Sequence, residues 1–187
     1  MTDASSGWDA RYAASAPGTP GPPTALVDRL DLVPTAGRAL DVACGRGTVA
    51  VWLAQRGFDV DAVDAAPSGL ALGARLAARE GVAVRWVEAD LTRGLPVSGP
   101  YDVVVCQRYR DPTLYPALAE ALAPGGLLVL TVLSEVGDAG GRFRAAPGEL
   151  LAAFGGLDVV AHSETGGEAT LVAVRRACSP GAPTLPR

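Results

Sequence analysis

The stretch RALDVACGRGTVAVWLAQRG, residues 38–57, decides the fold. A short apolar run ends in small residues, turns through two glycines and becomes a helical pattern. Gly45 and Gly47 lack a Cβ, so the backbone can turn sharply and a ligand can approach its N–H groups. The helix behind them presents an electropositive N-terminus that favours an anionic group. Gly45 to Ala50, GRGTVA, fits the G-x-G-x-x-G/A fingerprint. Alone, that pattern is compatible with a nicotinamide or flavin dinucleotide. Asp64, close to 20 positions on, suits a ribose diol. The simpler alternative is that Asp64 caps the next helix.

Outward from this unit the chain keeps a strand–helix rhythm. RALDVA is a strand and TVAVWLAQR a helix closed by Gly57. FDVDAVD alternates as a strand does, and PSGLALGARLAARE opens on Pro67 and closes at Gly81 as a helix. VAVRWVEAD alternates again. YDVVVCQ and GGLLVLTVL are continuous apolar runs, expected of strands covered on both faces. DPTLYPALAEALA and APGELLAAFGG read as helices between them, and LDVVAHS and ATLVAVR as two final strands joined by ETGGE. That joint is too short for a crossover helix, so the last two strands are expected to be antiparallel. The fold expected is α/β: a Rossmann-like, seven-stranded, mostly parallel sheet with an antiparallel last strand and helices on both faces. Ligands then sit outside the carboxyl ends of the strands.

Before this core, TALVDRLDLVP (24–34) has helical spacing and stops before Pro34. APGTPGPP (16–23) reads as a linker. The expected organisation is an N-terminal lid segment and linker at 1–35, a core domain at 36–176 and a flexible tail at 177–187. Of the 187 residues, 49% are hydrophobic and 19% charged, which indicates a globular chain. A net charge of −4 gives no reason to expect nucleic acid or an anionic membrane as partner. The longest apolar run is too short to span a bilayer, and the N-terminus carries no secretory pattern. Three scattered cysteines make neither a metal cluster nor a disulfide frame, so no metal is expected and a reducing cytoplasm is the default.

Five segments together resemble the class I S-adenosylmethionine (SAM)-dependent methyltransferases. ALDVACGRGTV is similar to their first motif and DAVDAAPSGL to their second; VEADLT is similar to the adenine-bordering segment. PYDVVVCQ and LAPGGLLVLTVL resemble their fourth and fifth strands with the Pro-Gly-Gly turn between. The resemblance covers about residues 36–176. It implies SAM as cofactor, bound by Ala43, Cys44, Gly45 and Gly47 of the turn, by Asp64 and Ala65, by Asp90 and Leu91, and beside Cys106. Asp41 is implied as the acid that orders the glycine turn. Ala43 stands where the family often has glycine, which narrows the approach there. WDARYA, CQRYRDPTLYPALAEALAPGGLL and PGELLAAFGGLDVV further resemble compact bacterial methyltransferases of the tellurite-resistance-like group. In those, an N-terminal aromatic segment closes over the cofactor, a role that falls here to Trp8, Arg11 and Tyr12.

The implied activity is methyl transfer to a small-molecule acceptor by in-line displacement. Arg108, Tyr109 and Arg110 follow the fourth strand directly, where acceptor and methyl should meet. Arg108 and Tyr109 are the candidates for positioning it, and the arginines suit an anionic acceptor. Arg142 and Arg144 are candidates to complete a cationic mouth. His162, inside a strand, reads as a packed residue, and Cys106 as inert packing. Two alternatives stay open: a nicotinamide-dependent oxidoreductase, although the chain has no lysine for a Tyr/Lys pair, and a catalytically silent SAM-binding module. No oligomeric state is implied.

Overall fold

The computed structural model describes residues 3–16, 18–138, 140–141 and 143–177. Arg142 and nearly all of the expected tail lie outside the described residues. One eight-stranded sheet forms from β1 (Gly37–Val42), β2 (Phe58–Asp64), β3 (Arg85–Glu88), β4 (Tyr101–Gln107), β5 (Leu122–Ser134), β6 (Arg144–Ala145), β7 (Asp158–Thr165) and β8 (Glu168–Val174). Its order is β3-β2-β1-β4-β5-β8-β7, with β6 beside the end of β5. β1 to β6 pair in parallel, and β8 runs antiparallel to both β5 and β7. The two-residue β6 is the strand that the expected seven omitted; it is too short to carry an alternating pattern.

The helix α1 (Asp3–Ala13) packs on α3 (Pro67–Glu80), and the sheet is covered by α3 itself with α2 (Thr48–Gln55), α4 (Tyr115–Glu120) and α5 (Glu149–Ala153). One face packs α2 and the segment around Leu26 and Val33 on Ala39, Val60, Val103, Val105, Leu127, Val129 and Val172. The other packs α4 and α5, through Tyr115, Leu118, Leu150 and Phe154, on Leu40, Val42, Val104, Leu128 and Leu130. Residues 103–105 of β4 and 127–130 of β5 are buried almost completely, as the unbroken apolar runs require.

Three elements are shorter than their patterns. Residues 24–34 form two 3-10 turns, Thr24–Leu26 and Leu30–Leu32, instead of a helix. Arg29, at φ −142° and ψ 32°, breaks the run, and a stretch hemmed by prolines at both ends is too short to repay helix nucleation. α4 stops at Glu120 because Tyr101 N–H donates to Ala121 O at 2.8 Å, drawing the following residues into β5. β3 keeps only four residues, because it is a half-exposed edge strand.

Candidate active site

The carboxyl ends of β1, β2, β3 and β4 meet at one crevice. Ala43 to Gly47 form its floor. Asp64 closes β2 with a buried carboxylate that accepts Gly45 N–H at 2.8 Å and Ala66 N–H at 2.8 Å. It therefore ties the glycine turn to the start of α3. Burial pushes its pKa up, and the bonds from Ala66, Gly45 and Ala65 work against that rise. A carboxylate offers about four lone-pair sites, so at least one remains after these amides.

Asp41 departs from expectation. Its task of ordering the glycine turn falls to Asp64. Asp41 points to the α2 face, as its strand partner Val105 does, and the amide of Ala50 in the first turn of α2 donates to its carboxyl. Its Oδ2 is buried and has no hydrogen-bond partner among the described residues. Burial pushes its pKa up to about 7; the Ala50 amide opposes this and the Asp64 charge adds to it. A carboxyl whose folded pKa is raised stabilises the fold fully below the ordinary carboxylate range and loses that contribution as pH rises toward the folded value. The stability difference between the parent protein and Asp41→Asn should therefore fall, by on the order of a few kcal/mol, between about pH 4 and pH 7. Ligand-free denaturant titrations of both proteins across that range check it; parallel profiles would refute it.

The amides of the turn are engaged within the protein. Cys44 N–H donates to Val63 O, Gly45 N–H to Asp64, and Gly47 N–H to Cys44 O. Ala43 has φ 54°, a left-handed conformation that costs an L side chain about 1–2 kcal/mol. The missing family glycine thus leaves a strained alanine. Ala43→Gly should raise the melting temperature by about 2–4 °C, which a thermal scan reads directly.

Tyr12 covers the turn. A Cβ added at Gly45 would lie 2.6 Å from the Tyr12 hydroxyl, and one added at Gly69 would lie 3.0 Å from the Tyr12 ring. α1 is held there by Asp9, whose carboxylate accepts Ser68 N–H at 2.7 Å at the start of α3. Trp8 stacks on Tyr12 with centroids 5.8 Å apart. Arg11 lies over the Trp8 ring at 5.1 Å and is exposed, so of the two expected cofactor contacts on α1 only Tyr12 reaches the turn. Asp9 and Gly69 were missed in the sequence. The signal for the latter was a pair of glycines, Gly69 and Gly73, one helical turn apart inside α3, where glycine is costly unless something approaches closely.

At β3, Asp90 caps the 3-10 turn Leu91–Arg93, accepting Thr92 N–H at 3.1 Å and Thr92 Oγ1–H at 2.7 Å. Leu91 is buried in the core. At β4, Cys106 is buried, and its Sγ lies 3.6 Å from Tyr109 O. Burial pushes the Cys106 and Cys44 thiols up, so both stay protonated. Tyr109 turns toward the crevice. Burial, then Asp111, Cys106, Asp90 and Asp64, push its phenol up to about 12.

The arginines after β4 diverge. Arg108, at φ 56°, sends its guanidinium to Glu168, with N···O distances of 2.9 and 2.7 Å. Arg110 makes a two-pronged bond to Glu149 at 2.8 and 2.6 Å, and Tyr115 O–H donates to the same carboxylate at 2.9 Å. Arg144 bonds Asp138 and donates to Ser134 O and Gly167 O. Among the described residues, each arginine of the expected cationic mouth is thus paired with a carboxylate, and the anionic acceptor loses that support. His162 pairs with Leu171 on the α4–α5 face, away from α2, 3.4 Å from Glu164.

Residues 39–126 match the methyltransferase domain family. A ubiquinone biosynthesis O-methyltransferase of a Caulobacter species is 35% identical over 103 residues, 52% of this chain and 41% of the relative. The ribosomal RNA small subunit methyltransferase C of Alcanivorax borkumensis is 35% identical over 111 residues, 54% of this chain and 33% of the relative. The chain thus spans less than half the length of these curated relatives. The structure of TehB from Haemophilus influenzae superposes with a TM-score of 0.73 at 19% identity, covering 81% of this chain and 62% of that one. With its motif order and its sheet order, residues 39–126 are thus similar to the methyltransferase domain family, and the chain shares the fold of that structure.

Proposed function

We propose that the protein transfers the methyl group of SAM to a small-molecule acceptor, in the cytoplasm. The observation that carries the cofactor assignment is the acid at the start of α2. A dinucleotide needs the amides at that helix N-terminus for its diphosphate. Here the buried Asp41 takes the Ala50 amide, and Asp64 and Asp90 stand at the ends of β2 and β3. Arg46, the one basic residue in the turn, donates instead to Ala16 O at 3.0 Å. Such a crevice repels phosphate and suits a ligand bearing a sulfonium and an ammonium. The unpartnered Asp41 Oδ2 and the open site on Asp64 fit that donor set.

When bound, SAM supplies an electrophilic methyl on a cationic sulfur. Asp64 holds the turn and keeps an acceptor site for a ribose hydroxyl, Tyr12 covers the floor, and Cys106 packs beside it. Tyr109 remains a hydroxyl donor at physiological pH and does not serve as a base. Neither described cysteine is a ready nucleophile, and His162 faces the other side of the sheet. The contribution of the protein is positioning and exclusion of water, which together can lower the barrier by several kcal/mol. Among the described residues, no helix is long and apolar enough to cross a membrane.

Calorimetric titration tests the assignment. SAM and S-adenosylhomocysteine (SAH) should bind with micromolar affinity and the nicotinamide dinucleotides should not. Nicotinamide binding, or tight SAM binding without transfer to any acceptor class, would overturn the proposal.

A further inference from the structure

On the α2 face of the sheet, three side chains stand in one row. Gln107 of β4 pairs with Thr131 of β5, and Thr131 pairs with Thr170 of β8. Directly paired residues project to the same side, and the rows beneath, Val105–Val129–Val172 and Val103–Leu127–Val174, belong to the apolar core of that face. The row is therefore a polar top edge on an apolar wall. It borders a cavity of about 510 Å³, roofed by Thr24 and Ala25 and edged by Arg108 and Glu168. That volume suits a drug-sized molecule. Among the described residues, no hydrogen bond engages the side chains of Gln107, Thr131 or Thr170. The cavity lies next to the glycine turn: Gln107 follows Cys106, whose ladder partner Val42 leads into Ala43.

The lining is electrically neutral. Its one cation, Arg108, is bound to its one anion, Glu168, and the rest are hydroxyls, a carboxamide and a methyl. An anion entering here would meet a guanidinium already neutralised by Glu168, together with the carboxylate's own charge. An uncharged ligand has only hydrogen bonds to make. Neighbouring strands lie about 4.8 Å apart, so the row offers polar groups at that interval. Two hydroxyls on one aromatic ring, about 4.8 Å apart when meta and about 5.5 Å apart when para, reach across that interval, with the ring against the valines.

Resting on the methyltransferase reading, we infer that this cavity is the acceptor pocket and that it takes an uncharged, hydroxyl-bearing acceptor, an aromatic ring with two polar groups being the type. Gln107, Thr131 and Thr170 are its specificity-determining residues, and the Arg108–Glu168 pair is what excludes anions.

The test uses the full chain saturated with SAH, its threonine methyls labelled for NMR. The probes are hydroquinone and 4-hydroxybenzoate, which differ only by the exchange of one hydroxyl for a carboxylate. Hydroquinone should shift the Thr131 and Thr170 methyl signals saturably, and 4-hydroxybenzoate should do so at least tenfold more weakly. Thr131→Val should weaken hydroquinone about threefold to tenfold, Thr131→Ser should restore it, and SAH affinity should be unchanged in both. Glu168→Gln, which frees Arg108, should narrow the preference. Equal or stronger binding of the anion, or no response of either methyl at millimolar probe while SAH binds, overturns the pocket assignment. Failure of SAH to bind the parent protein instead overturns the methyltransferase reading beneath it.

Discussion

Asp64→Ala is expected to weaken SAM and SAH binding by at least about 100-fold and to remove about 2–4 kcal/mol of stability. The buried carboxylate links the glycine turn to the start of α3 through two 2.8 Å bonds to the Gly45 and Ala66 amides. A hydrogen bond to a charged acceptor contributes about 1.5–3 kcal/mol, so the pair would give more than the figure stated. It is discounted because burial costs the carboxylate its solvation, which is why its pKa stands above the usual range despite both bonds. Alanine leaves two amide hydrogens without an acceptor and removes the oxygens offered to a ribose. The two readouts are calorimetry with SAH and thermal unfolding, which should drop by about 5–15 °C. Asp64→Asn keeps one carbonyl oxygen for one amide and should fall between. Loss of stability with intact cofactor affinity would reduce Asp64 to a scaffold residue and vindicate the helix-capping alternative.

The division of labour between Asp41 and Asp64 marks the limit of what the sequence made legible. Strand ends were readable because apolar runs and glycines announce them, and FDVDAVD and PSGLALGARLAARE take their elements residue for residue. The crevice at the strand ends follows from that topology. Which acid meets which amide does not follow, because it depends on how far the turn swings. Asp61 makes the same point. It looked like the polar partner in an alternating strand, yet it is buried and bonded by Arg85 at 2.5 Å, Tyr101 at 2.6 Å and Arg38 at 3.4 Å. Burial alone would raise its pKa, and the bonds from Arg85 and Tyr101 outweigh it. Partners 24 and 40 residues away leave no local trace.

The arginines failed as a guide for a related reason. In sequence, Arg108 and Arg110 flank Tyr109 at a strand end and invite an anionic ligand. Their carboxylates, Glu168 and Glu149, come from β8 and the start of α5, and only the closed sheet brings them in. The neutral row of Gln107, Thr131 and Thr170 was invisible for the opposite reason. Each residue is unremarkable in its own strand, and the pattern exists only across the ladder.

Gly47→Ala should destabilise the fold by about 2–5 kcal/mol, a sizeable part of the stability of an ordinary domain. Gly47 was read as an opening for a ligand, and the structure makes it a seat for Trp86. A Cβ there would lie 2.3 Å from Trp86 Cη2 and 2.6 Å from Cζ3. The indole cannot retreat, because Gly73 stands against the same ring, at a distance where its own Cβ would be 2.5 Å from Cη2. Overpacking of this kind costs about 1–3 kcal/mol. Gly47 also sits at φ 68° as the residue before α2, where an alanine adds about 1–2 kcal/mol. The two parts separate in a double-mutant cycle with Trp86→Phe, which removes the colliding atoms. On its own Trp86→Phe should destabilise by leaving a void; in the Gly47→Ala background it should be neutral or stabilising. The coupling should exceed about 1 kcal/mol by denaturant unfolding. Strict additivity would refute the packing account and leave only the backbone term, and with it the view that the second glycine of the turn was kept open for a ligand.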